Sequence, residues 1–165
     1  MNGIALLSLG ILLVVTPALS ADEGPRLVRA AAIPGVPQVV VVAEGELEPR
    51  GVGSYSLRVY AAASPRFPYD DFVAGTVRPR DGRVEDVRFS DLDRDGVPDI
   101  VVVIRSAGTG GYLSADAFRL RGTALTLLGS VSGLPSDADP ILALEGEFAS
   151  GAGLPAAPDV DKLRR

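Results

Sequence analysis

The sequence predicts an all-β fold, a single-domain antiparallel β-sandwich or flattened barrel. Three observations carry that expectation. Short β-branched or alternating runs follow one another from residue 38 onward, separated by Gly, Pro and Asp. One of them, Asp99 to Arg105, is almost wholly apolar, as a central strand covered on both faces should be. No stretch in the middle of the chain holds a 3.6-residue period over eleven or more residues.

Residues 1–20 read as a signal peptide. Ile4 to Val15 is apolar apart from Ser8 and Gly10, Pro17 breaks the run, and Ala18-Leu19-Ser20-Ala21 suits a signal peptidase. A membrane span needs roughly 20 apolar residues, so the mature chain is expected to be periplasmic or secreted and not membrane-inserted. Residues 21–37, with Pro25, Pro34 and Pro37, read as an aperiodic lead-in. The folded domain is expected over residues 38–150.

Val39 to Ala43 is β-branched and compact, and Glu44 to Gly53 is a polar connection. From Ser54 to Ala61 the pattern alternates, placing Tyr55, Leu57 and Val59 on one face. Phe72 to Val77 is a shorter strand, closed by the turn signal Pro79-Arg80-Asp81-Gly82. Val87 and Phe89 alternate with Arg88 and Ser90, and Leu113 to Leu120 and Leu125 to Leu128 complete the strands. Pro140 to Phe148 reads equally as strand or short helix. Residues 151–165, rich in Pro, Ala and Gly, read as a C-terminal tail.

Composition removes several functions. Without histidine there is no serine–histidine triad and no imidazole base, and without cysteine no thiol nucleophile or disulfide. An enzyme would depend on carboxylates, Lys162, tyrosines or a metal. The clusters Glu44/Glu46/Glu48 and Asp70-Asp71 could imitate a catalytic pair, but acids grouped on loops are ordinarily solvated. A formal net charge of −5 argues against nucleic acid, which needs a basic patch.

Two loops carry chemistry. In Asp91-Leu92-Asp93-Arg94-Asp95-Gly96-Val97-Pro98-Asp99, side chains of Asp91, Asp93, Asp95 and Asp99 and the carbonyl of Val97 have the spacing of a calcium loop, with glycine at its sharp turn. Position 12 is Val102 and the flanks are strands, so this is no EF-hand. Any ion would be structural, and no cofactor is otherwise required. The alternative is a tight hairpin closed by aspartate-to-backbone bonds. The second loop is Ser106 to Tyr112, which follows the apolar strand. Here Thr109-Gly110-Gly111-Tyr112 sets a hydroxyl and a phenol three residues apart on a thin, glycine-rich tip.

Several stretches together resemble the periplasmic inhibitors of invertebrate-type lysozyme: Gly53 to Tyr60, Arg78 to Gly82, Asp91 to Ile100 and Ser106 to Phe118. The resemblance implies a β-sandwich or flattened barrel whose Ser-Gly-x-Tyr loop enters the lysozyme cleft and meets its catalytic acids. Carried onto this chain, the serine falls on Thr109, the glycine on Gly110 and the tyrosine on Tyr112. Threonine keeps the hydroxyl but adds a methyl group. The chemistry is reasonable on its own terms, because uncharged hydroxyls can satisfy paired carboxylates that would repel an acidic probe. The expected partner is therefore an invertebrate-type lysozyme, and the expected benefit protection of peptidoglycan. A calcium-stabilised adhesion or carbohydrate-binding module is the alternative, and a glycan-cleaving enzyme a third. A sandwich with exposed edges can also form a homodimer.

Overall fold

The computed structural model describes Arg26 and residues 28–150. The expected signal peptide, the other lead-in residues up to 27 and the C-terminal tail lie outside the described residues. Eight strands form two four-stranded sheets that do not close into a barrel, so the fold is a sandwich. Sheet A has the order β1 (Val28–Ala32), β2 (Val39–Glu44), β3 (Val52–Tyr60) and β4 (Phe72–Asp81). Sheet B has β5 (Arg83–Ser90), β6 (Asp99–Arg105), β7 (Leu113–Arg121) and β8 (Ala124–Leu134). Every pairing is antiparallel between neighbours in sequence, which suits short connections.

The core follows from strand alternation. Tyr55, Leu57 and Val59 turn inward and are fully buried, as their spacing predicts. They meet Val40 and Val42 of sheet A and Ile100, Val102, Ile104 and Phe118 of sheet B. Strand β6 is apolar from Ile100 to Ile104 because it has two covered faces. Its even positions face sheet A, whereas Val101 and Val103 face a second cluster built around Leu144. Leu144 lies on α1 (Pro140–Ser150), so the ambiguous segment is a helix laid over the outside of sheet B. Asp139 caps it, accepting a hydrogen bond from the Ile141 amide at 3.0 Å. Ile141, Leu144 and Phe148 make its inner face, a stripe too short to be separated from a strand by pattern alone. Among the described residues no helix is long and apolar enough to cross a membrane.

Two elements differ from the sequence expectation. Strand β1 falls where residues 21–37 read as a lead-in. Val-Arg-Ala-Ala-Ala has little strand preference of its own, and pairing with β2, from Val28↔Ala43 to Ala32↔Val39, decides it. Strand β4 continues through the expected turn residues Pro79 to Asp81 and reverses only at Gly82, at φ +120°. Proline is tolerated there because β4 is an edge strand with no partner on its far side.

A buried polar junction ties the sheets together. The Tyr55 hydroxyl and the Ser130 hydroxyl each donate to Asp116 at 2.5 Å, and Arg78 lies 3.4 Å from the same carboxylate. Burial, reinforced by the Asp116 charge, pushes the Tyr55 phenol far above its ordinary range.

Candidate functional site

The Ser106–Tyr112 loop joins β6 to β7 at one end of the sandwich. The Ser106 amide donates to the Tyr112 carbonyl at 2.9 Å, closing the hairpin, and the Gly111 amide donates to Gly108 at 3.1 Å, forming a tight turn around Thr109 and Gly110. Gly111 has φ +55°, a left-handed conformation that side chains disfavour. Thr109 is exposed, and Tyr112 exposes 54% of its surface. Neither side-chain hydroxyl has a hydrogen-bond partner among the described residues, so both remain available to a partner. The phenol ring leans on its own loop. A Cβ placed on Gly110 would come within 2.8 Å of Tyr112 Cδ2, so glycine gives the ring its place.

The loop is braced from beneath. Arg105, the last residue of β6, donates from Nη1 to the Gly111 carbonyl at 2.8 Å. Its other nitrogens grip Glu85, with Nη2 to Oε1 at 2.6 Å. Glu85 is the unpaired residue of a β-bulge between Val84 and Asp86, which turns its side chain out of the ladder and toward Arg105. The Arg105 guanidinium holds the Glu85 carboxyl below its ordinary value of 4.5. Gly82 packs under the same strand end. A Cβ there would meet the carbonyl carbon of Arg105 at 2.6 Å and Ser106 Cα at 2.7 Å. The sequence offered no sign of this bracing, because Glu85 and Arg105 are linked only by a bulge that shifts the register.

The aspartate loop lies at the opposite end of β6. Carboxylate oxygens of Asp91, Asp93 and Asp95 come within 4.8 Å of one another. Asp91 accepts the amides of Asp95 and Gly96, each at 2.9 Å, and Asp95 accepts the Val97 amide at 2.9 Å. Asp99 is set apart from the other three. It is buried, and it accepts the Leu92 amide at 3.2 Å. Burial pushes its carboxyl up to about 6, against the pull of that amide and of Arg119. Arg119 pairs with Asp93 and lies 3.9 Å from Asp95 and 3.5 Å from Asp99, while Arg121 pairs with Asp95. These arginines, which alternation would assign to a solvated strand face, supply the loop's positive charge.

Fold and loop define a class: a β-sandwich that displays a braced, hydroxyl-bearing tip. Residues 26–148 match the family described as periplasmic lysozyme inhibitor of I-type lysozyme, and the chain belongs to that family. Among solved structures it is similar to the periplasmic lysozyme inhibitor of I-type lysozyme from Aeromonas hydrophila, with 44% sequence identity and a TM-score of 0.67. That match covers 72% of this chain and 98% of the Aeromonas chain. The same inhibitor solved in complex with Meretrix lusoria lysozyme matches with equal identity and TM-score, covering 72% of this chain and 95% of that one. No curated protein matches the chain.

Proposed function

We propose that this chain inhibits invertebrate-type lysozyme by inserting Thr109-Gly110-Gly111-Tyr112 into the substrate cleft, and that it does so without chemistry of its own. The observation that carries the reading is the tip itself, with two exposed side chains whose hydroxyls have no hydrogen-bond partner among the described residues, on a loop held from behind. Family membership and a relative solved with a lysozyme support the choice of target. A lysozyme cleft holds two carboxylates. Hydroxyl donors can bond to them without bringing a charge that must be desolvated. The tyrosine ring adds rigid contact area at small entropic cost. Occupancy of the cleft then keeps peptidoglycan out.

The test is titration of the mature protein into invertebrate-, chicken- and goose-type lysozymes while glycan cleavage is followed. Inhibition is expected for the invertebrate type. Thr109→Ala with Tyr112→Ala is expected to weaken it by at least about thirtyfold, since truncating a buried interface tyrosine commonly costs about 2 kcal/mol or more. Thr109→Ser, which keeps the hydroxyl, should stay near wild type. Full inhibition by the double variant would end the insertion mechanism.

A structural calcium ion at the aspartate loop has for it the convergence of Asp91, Asp93 and Asp95. Against it stand Arg119, already among those carboxylates, and Asp99, turned to the Leu92 amide. Melting with calcium and with EDTA decides: an ion held there raises the midpoint, and coincident curves exclude it.

A further inference from the structure

A cleft of about 880 Å³ opens beside the base of the tip, with Ser106 and Ala107 in its wall. Five arginines line it, Arg26, Arg29, Arg50, Arg83 and Arg105, against two acids, Glu44 and Glu85. Both acids are already engaged within the chain. Glu44 is buried, accepts the Val84 amide at 2.6 Å and lies 3.7 Å from Arg80. Glu85 is held by Arg105. Arg105 is paired with Glu85 and Arg26 lies against Glu48, and the exposed Arg29 and Arg83 leave the cleft a positive region on a chain of net charge −5. Arg83 is exposed and makes no salt bridge among the described residues, and exposed Arg29 donates only to the main-chain carbonyl of Glu85, at 3.1 Å. Arg83 also stands directly across from Arg105 in the β5–β6 ladder, so two guanidinium groups face the one Glu85 carboxylate, which Arg105 grips.

We infer that the cleft is a second contact for the lysozyme, an electrostatic dock for the carboxylate-bearing rim of its substrate cleft. The inference rests on the proposed function. A cleft carrying catalytic carboxylates projects a focused negative field. A net-negative inhibitor approaching it is repelled unless it presents its cationic end. Here the arginines gather from β1, the β2–β3 connection, β5 and β6 at the end that carries the tip. Charge at this position orients and speeds the encounter, whereas the inserted tip sets how long the complex lasts.

Association and dissociation rates with an invertebrate-type lysozyme test the dock, using wild type, Arg83→Glu and Arg66→Glu. Arg66 is exposed on the β3–β4 loop, one strand length away, so both variants carry the same net charge. Arg83→Glu is expected to slow association about fivefold to tenfold at low ionic strength, with a smaller change in dissociation. The difference should shrink as salt is added. Arg66→Glu should stay within about twofold, and Arg83→Lys should match wild type, because charge is what the dock uses. Melting curves report whether each variant is folded. Equal slowing by Arg83→Glu and Arg66→Glu, no slowing by Arg83→Glu, or slow association by Arg83→Lys would overturn the dock and leave the tip mechanism standing. Failure of wild type to associate at all would overturn the proposed function and the dock together.

Discussion

Gly110 shows how one missing Cβ can direct a neighbouring side chain. The Tyr112 ring occupies the space a Cβ at this position would need, so any Cβ would force the ring aside. Gly110 is not among the residues with positive φ, so alanine is acceptable to the backbone. Gly110→Ala is therefore expected to leave stability within about 0.5 kcal/mol while weakening lysozyme inhibition through a misplaced phenol. Melting and inhibition measured on one preparation check this, and a variant that inhibits fully would show that ring placement is irrelevant. The glycine-rich loop that carries Thr109 and Tyr112 was readable from the sequence because such loops after a buried strand are distinctive. That the two hydroxyls have no partner among the described residues became visible only once the chain was folded.

Among the elements, the β5 bulge turns strand pairing into loop support. It frees Glu85 to hold Arg105, and Arg105 holds the Gly111 carbonyl. The sign of the pH effect follows from the lowered Glu85 carboxyl. A group whose folded value lies below its ordinary 4.5 stabilises fully above that value. The contribution is lost as pH falls through the lower folded value. Glu85→Gln should thus melt below wild type at pH 7 and pH 5.5, and the gap should close under acid conditions. A gap that stayed constant down to pH 3 would mean that the ion pair is not its source. Because Glu85 is partly exposed, the effect should be modest, about 1 kcal/mol or less. The sequence could not show this pair: alternation puts Glu85 and Val87 on one face, and only the extra residue in the ladder breaks that rule.

At the scale of the whole molecule, the described residues form three layers: sheet A, sheet B and one short helix over sheet B. Leu144 is the helix's central anchor, fully buried against Val101, Val103 and Leu128. Leu144→Ala is expected to cost about 2–5 kcal/mol, read by denaturant unfolding, with inhibition per folded molecule unchanged because the tip is built on other elements. A much smaller loss would mean the helix is peripheral to the fold. The sequence by itself determined the fold class, the inward face of β3, the two covered faces of β6 and the glycine-rich loop after it, since each is written in local periodicity or in glycine spacing. Tertiary structure alone decided four things: that 28–32 is a strand, that 140–150 is a helix, that Arg119 belongs to the aspartate loop, and that distant arginines meet beside the tip. These depend on pairing register and on which layers face each other, and such long-range contacts leave no mark in a stretch of neighbouring residues.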